Sequence, residues 1–525
     1  MVWNATISDK EVASRFAETP WTKEAEDWIR IDERLPEDHL ARRIDRAIDL
    51  LALAPLVDSY LGVGRKAYRP DLLLKLILYE SQAKRPSPSQ WARDVKENEP
   101  LRWLVLGIEP SRSQLYAFRD RIGPYLDAWN AQVLQMAIDL ELTDVTRAAL
   151  DGSTIAANAS RKKLANEELL AKRIQELDDA IRSTATGQSV EQSPAWMATS
   201  PQSAAQQREH YRHVQRCLRE RHRENDQRRS SKRKPRDKVL VSLTDPETAL
   251  GPDKDKVYRP LYNIQFLRDL DSPLILGYDV FAQVNDSGTL PILVERTVHL
   301  IGHKPETLLA DAGYVSLRDL FFCEDHGITL YAPFQENDQS KARQKKKSCN
   351  QFTQLPKTEF TWLENQQTFQ CPAGHRLRFS CRKKEQRFDH QVALRLYVCP
   401  AEYCLACPRQ AECTRNPEKG RMVSRMEHEE LLDQLVARMQ TEEAKTLYRL
   451  RKQTVELSFA DMKEHRGLRR LSCRGRRRAK NQVACTVLAH NLLTVHDARD
   501  EGQSKPTARL PMRSEDTIPR IPCLA

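Results

Sequence analysis

Three carboxylates, far apart in the chain, stand where they could share one chemical task. Asp151 lies in LDGSTIAANAS, Asp311 in LLADAGY and Glu456 in RKQTVELSFADMKEHRG. The first two close apolar runs that read as strands, and a strand end is both rigid and open to solvent. The third lies on a helical pattern. At about 100° per residue, Lys452, Glu456 and Lys463 fall within about 40° of one another, beside an apolar stripe of Val455, Phe459 and Met462. Carboxylate oxygens suit magnesium, and two such cations about 3.5–4 Å apart suit phosphodiester cleavage. Alone, each Asp motif also reads as a turn, and Lys452 with Glu456 as an i,i+4 ion pair worth about 0.2–0.5 kcal/mol. The three together favour a metal site.

The surrounding pattern predicts the elements that would position these acids. Residues 1–37 read as a lead-in of mixed polarity, and 38–145 as a helical domain punctuated by Pro70, Pro86, Pro88, Pro100 and Pro110. Strand patterns follow at Thr146–Leu150, Val239–Leu243, Tyr262–Phe266, Leu274–Ala282, Thr307–Ala310 and Ile328–Ala332. Between them, 159–238 is a charged, mostly helical insertion with a Ser/Thr/Gln/Ala-rich middle at 183–207. These runs predict an α/β fold, a mixed sheet flanked by helices within 146–333, preceded by an all-α domain. Residues 334–440 form a Cys-rich insertion. A long helix beginning near Thr441 and a basic segment complete the core over 441–497, and 498–525 read as a disordered tail.

The chain has 525 residues, a net charge of +11, a pI near 9.0 and 30% charged residues. That balance favours a polyanionic partner over an acidic small molecule. The charge is local: Arg212–Lys238 holds twelve Lys/Arg against four acids and Lys463–Lys480 nine against one, whereas residues 1–50 are net acidic. Arg466, Arg469, Arg470 and Arg474 directly follow the Glu456 helix, where they would bind a nucleic-acid backbone with little readout of sequence. Arg112, Gln114 and Arg119, in the helical domain, are candidates for base readout. The longest apolar stretch, Ile48–Val57, is interrupted by Asp49 and Pro55 and falls well short of a membrane span. The N-terminus lacks a basic start with an apolar core, so a cytoplasmic, nucleoid-associated location is expected.

Twelve cysteines in such a chain argue against a disulfide framework. Cys371, the Cys404-x₂-Cys407 pair and Cys413 instead suggest structural zinc, with His375, Cys381 and Cys399 as surplus candidates. Small buried thiols are the alternative.

The acidic words, with SLTDPET at 242–248, YNIQ at 262–265 and VND at 284–286, resemble in the same order the bacterial insertion-sequence transposases of the DDE, ribonuclease-H-like class. The resemblance spans most of 45–495 and is loose over 159–238. Glu456 and Lys463 match the spacing of that family's Tyr-Arg-Glu-Lys signature, and Tyr448 also fits. The Arg position stays open, since Lys452 has the spacing and Arg451 the chemistry. The resemblance implies a ribonuclease-H-like fold in which Asp151, Asp311 and Glu456 hold two Mg²⁺ ions. Tyr448, Arg451 or Lys452, and Lys463 would grip DNA phosphates. It implies hydrolytic nicking of double-stranded DNA at the inverted-repeat ends of a mobile element. Attack of the freed 3′-OH on target DNA follows, within a homodimer or higher assembly. An endonuclease without strand transfer and a catalytically silent DNA-binding regulator are the competing expectations. Neither a membrane nor a small-molecule substrate is expected.

Overall fold

The structure, a computed structural model, describes residues 15–185, 194–228, 230, 233–253, 255–334, 355–387 and 390–503. Expectations for residues 1–14, 335–354 and 504–525, and for 186–193 within the polar middle at 183–207, lie outside the described residues.

Helices run from Glu26–Asp32 to Leu126–Asp139 in the N-terminal third. Prolines open Pro70–Gln82 and Pro88–Glu97 and stand in the first turn of Glu99–Leu104, where a missing N–H costs nothing. Ser111 and Gln114 form a reciprocal capping box at the start of Arg112–Arg121. Pro70–Gln82 is buried along almost its whole length, as a helix apolar on all sides must be.

The strands are β1 (Arg147–Ala156), β2 (Leu164–Ala165), β3 (Val241–Ser242), β4 (Ala249–Pro252), β5 (Tyr258–Asp269), β6 (Ile275–Phe281), β7 (Thr307–Leu309), β8 (Thr329–Tyr331), β9 (Thr361–Leu363), β10 (Thr368–Gln370), β11 (Arg378–Arg387), β12 (His390–Val398) and β13 (Met422–Met426). The main sheet has the order β4-β5-β1-β7-β8, with β6 also on β5. β5 runs antiparallel to β1 and β6 antiparallel to β5, whereas β7 and β8 continue parallel from β1. This is the expected mixed sheet with helices against it.

One apolar core runs from Ile31 to Val495, so the N-terminal helices, the sheet and the last helix are packed as one body. Asn130, almost fully buried, donates to Leu126 O, Tyr278 Oη and Ala484 O, tying helix, sheet and last helix together. The exposed edge of β6 is closed in a similar way. Ile275 N donates to Asn491 Oδ1 at 3.0 Å and Asn491 Nδ2 donates to Ile275 O at 2.9 Å, so one side chain pairs the strand as a neighbouring strand would. Two smaller cores lie apart from this one. The first joins Glu167–Ala185, Pro201–Gln227 and the β2–β3 pair; the second gathers Phe360, Phe369, Tyr397, Cys399, Cys404 and Val423 in the Cys-rich segment.

Three local expectations need correcting. β1 does not stop before Asp151, because β5 is long enough to pair it as far as Ala156. No single helix begins near Thr441. That residue caps Glu442–Gln453, and a second helix, Val455–Glu464, starts after a break at Thr454 (φ −119°, ψ −90°). The Thr454 hydroxyl bonds back to Leu450 O at 2.8 Å, an interaction that bends helices. Finally, Arg476–Gln503 continues beyond 497 as helix, helped by His496 facing Asp500 one turn on.

Candidate active site

The sheet brings two of the acids side by side. β1 and β7 are parallel with Ala149 opposite Leu309, so Asp151 and Asp311, two residues further along each chain, emerge next to one another. Glu456 arrives on a separate helix, Val455–Glu464, whose Val455, Phe459 and Met462 are buried. Phe459 stacks on Phe266 at 4.5 Å, and Phe266 is the β5 partner of Asp151. The apolar stripe thus fixes the height of the glutamate above the strand that carries the first aspartate.

All three acids meet on Arg451. Its Nη2 lies 2.7 Å from Asp151 Oδ1 and 3.9 Å from Asp311 Oδ2, and its Nη1 lies 2.9 Å from Glu456 Oε1. Asp151 is the most enclosed, with 17% of its side chain exposed against 41% for Asp311 and 44% for Glu456. Burial pushes the Asp151 carboxyl up to about 6, and Asp311 and Asp286 add to this, while Arg451 and the Gly152 N–H pull the other way. Burial also works against the charge of Arg451, but Asp151, Tyr448, Asp311 and Glu456 together hold its guanidinium above the ordinary range. Among the described residues its Nε has no hydrogen-bond partner.

Among the described residues no group of three His, Cys, Asp or Glu stands ready-made to hold a metal ion. At the acids the reason is visible: a planar guanidinium occupies their meeting point and sets the carboxylates around its fork. The donor set nevertheless fits a hard divalent cation. It is all oxygen, it converges from three elements, and it already draws positive charge to its centre.

Behind the acids lies a polar layer that links four sequence motifs. Gln265 Nε2 and Asn263 Nδ2 donate to Asp286 Oδ1 at 2.6 and 2.8 Å, and Tyr314 Oη donates to Gln265 Oε1. Asn263, Gln265 and Tyr314 are buried. Gly152 is required here by contact: a β-carbon on it would stand 2.1 Å from Gln265 Nε2 and 2.3 Å from Asp286 Oδ1. Sequence reasoning noted YNIQ and VND only as matching words; their amide–carboxylate pattern was the signal for this layer.

The basic candidates divide by position. Arg451 joins the acids, whereas Lys452 is exposed and separated from Glu456 by the helix break, so the expected common face of Lys452, Glu456 and Lys463 does not form. Tyr448, one turn before Arg451, is half-buried. Burial raises its hydroxyl, and Asp311 and Glu456 act in the same sense against Arg451. Lys463 Nζ bonds Ser153 Oγ on β1, two residues from Asp151. Beyond it the chain runs along the end of β1, with Leu471 N on Ala156 O and Asn158 Nδ2 on Ser472 O, both at 2.9 Å. Arg470 is exposed on that segment; Arg466 pairs with Asp461, Arg469 with Glu464, and Arg474 donates to Asn158 O. In the N-terminal helices Arg112 is exposed. Gln114 is exposed with its Oε1 held in the cap, whereas Arg119 is buried against Asp120 and the Tyr116 ring and presents no free edge to a base.

In the Cys-rich segment one cavity is lined by Cys371, Cys399, Cys404, Cys407 and Cys413 together with His375. His375 N donates to Cys371 Sγ at 3.3 Å and Arg421 N to Cys404 Sγ at 3.4 Å. Cys381 lies outside, exposed on β11.

Two families match the chain. One described as "Transposase DDE domain" covers residues 370–496, which include Glu456, and one described as "Transposase domain (DUF772)" covers residues 29–121. No curated protein and no solved structure matches. No helix among the described residues is long and apolar enough to cross a membrane.

Proposed function

We propose, for a chain that its two domain matches identify as an insertion-sequence transposase of the DDE class, that Asp151, Asp311 and Glu456 form a magnesium-dependent centre. This centre nicks the ends of a mobile element and joins them to new DNA. One observation carries this reading: acids from β1, from the turn after β7 and from a separate helix converge on a single cation-attracting point. The sheet order, with the antiparallel group β4, β5, β6 and β1 continued by the parallel pair β7 and β8, is the reason we read the core as ribonuclease-H-like.

Bound divalent cations would polarise the scissile phosphate, sharpen water as a nucleophile and stabilise the leaving oxygen. The chain's own groups have distinct tasks. Asp151 and Asp311 are held at adjacent strand positions, so their spacing is set by the sheet and not by flexible loops. Arg451 stands where it could exchange its acid partners for a DNA phosphate, an anion it can grip with two N–H groups. Lys463, anchored over Ser153, and Tyr448 flank that point. The exposed basic residues after the Glu456 helix would hold the DNA backbone. Two ends must be held together for joining, so a homodimer or higher assembly is part of this proposal. The thiol cavity would take structural zinc on Cys371, Cys404, Cys407 and Cys413. That is supported by their common cavity and by the N–H groups aimed at two of the sulfurs. Elemental analysis finding no zinc in freshly purified protein would remove this part.

Purified protein given DNA carrying the element's ends and Mg²⁺ tests the main proposal. Asp311→Ala should reduce nicking by about a thousandfold or more while end binding, read by gel shift, stays within about twofold. Retained cleavage overturns the assignment of the acids. Ends supplied already cut should still be joined to target DNA; nicking without joining would make the protein an endonuclease. Absence of both activities in the unaltered chain would favour the silent regulator.

A further inference from the structure

The polar layer behind the acids contains a fourth carboxylate whose placement has a purpose of its own. Asp286 lies in the loop after β6, just before the helix Thr289–Ile301. One of its oxygens is fully engaged: Oδ1 accepts from both Asn263 Nδ2 and Gln265 Nε2, two amides carried on one face of β5. The Gln265 amide is itself oriented by the Tyr314 hydroxyl, from the last residue of the turn that Asp311 caps. The other oxygen, Oδ2, points at the turn that carries Asp311. The point where a β-carbon on Gly313 would sit is 2.9 Å from Asp311 Oδ1 and 3.5 Å from Asp286 Oδ2. Gly313 has no side chain, so the two carboxylates flank one small space. Asn263, which supplies one of the two clamping amides, is 1% exposed, and among the described residues its Oδ1 has no hydrogen-bond partner.

Asp311 Oδ1 is held at this space by the Gly313 N–H at 2.6 Å, so two carboxylate oxygens face one small space, an arrangement that like charges oppose and an intervening cation would favour. We propose that Asp286 is a fourth acid of the metal centre, and that its free oxygen holds the hydrated divalent cation on the Asp311 side. This rests on the functional reading above and extends it. Asn263, Gln265 and Tyr314 are then positioning residues acting through Asp286, and Gly313 keeps the shared space open.

Asp286→Asn isolates the point. An asparagine can still accept from Asn263 and Gln265 with its carbonyl, so the clamp survives while the free carboxylate oxygen becomes an amide. Mn²⁺ binding to the DNA-free protein, read by loss of the free-ion paramagnetic signal, should weaken by about tenfold or lose one of two equivalents. The Mg²⁺ concentration for half-maximal nicking should rise in step, with end binding unchanged. Gly313→Ala, which fills the shared space without altering any charge, should weaken Mn²⁺ binding in the same direction and serves as the test if the Asn variant melts early. Mn²⁺ binding equal to that of the unaltered protein in a folded Asn variant, while Asp311→Asn weakens it, overturns the role of Asp286 and leaves the three-acid reading intact. If Asp311→Asn also leaves Mn²⁺ binding and cleavage intact, the three-acid reading itself falls.

Discussion

Glu80 and Asp151 are both acids pressed into the interior beside an arginine, yet they sit in different chemical situations. Glu80, in the N-terminal helices, is fully buried, and among the described residues neither of its oxygens has a hydrogen-bond partner. Arg85 approaches only to 3.8 Å and is shared with Asp94. Burial, with Asp94 adding to it, pushes Glu80 up to about 8 against the opposing pull of Arg85, so at neutral pH it holds its proton. Asp151 is also raised, but it shares a hydrogen-bonded guanidinium with two acids that remain open to solvent. Disturbed acidity is therefore common to both regions and cannot by itself mark a functional site. What separates them is convergence from several elements, an exit to water and a polar layer that fixes the acids from behind.

That contrast can be broken most forcefully at Gly152. Gly152→Ala places a methyl inside the Gln265–Asp286 contact, and cleavage should fall by about a hundredfold with end binding preserved. Near-normal turnover would show that the rear layer is dispensable and that the two regions differ less than argued. Arg451→Gln probes the centre itself. Without the internal cation, Mn²⁺ binding to DNA-free protein should tighten by about tenfold while cleavage slows; weaker metal binding would make Arg451 scaffolding for the acids. The same titration has a pH signature. A metal ligand must be deprotonated, and the raised Asp151 carboxyl takes up its proton as pH falls through about 6, so affinity should drop below that value. The Gln variant, lacking the charge that favours the carboxylate, should show the drop at higher pH.

The smallest effect belongs to Glu80→Gln, read by thermal melting across pH. The folded carboxyl titrates near 8, above its ordinary 4.5, so whatever stability Glu80 contributes is present below the ordinary value and declines as pH rises to about 8. The Gln variant lacks that decline. It should match the parent near pH 5 and melt a few degrees higher at pH 8. An identical pH dependence in the two proteins would mean that Glu80 is ionised after all.

Much of the site was legible because each acid lies in a short word that ends or interrupts an apolar run. The sheet was legible for the same reason, strand by strand from β5 to β8. Less could be read where a side chain's role depends on a distant partner. Periodicity treated Lys452 and Glu456 as neighbours on one helix; a single threonine at 454 breaks that helix and hands the position to Arg451. Its place in the helical domain offered Arg119 for base readout, but burial against Tyr116 and Asp120 is a tertiary fact that the sequence pattern does not carry. Asp286 was visible as part of a word, while its meaning depends on two amides from β5 that only the folded sheet brings to it.

The last helix, Arg476–Gln503, packs against Leu40–Ala47, Pro70–Gln82, Leu126–Asp139 and β6, and lies downstream of Glu456. Loosening that helix would disturb the N-terminal helices and the sheet together, so the strands that carry Asp151 and Asp311 share its stability.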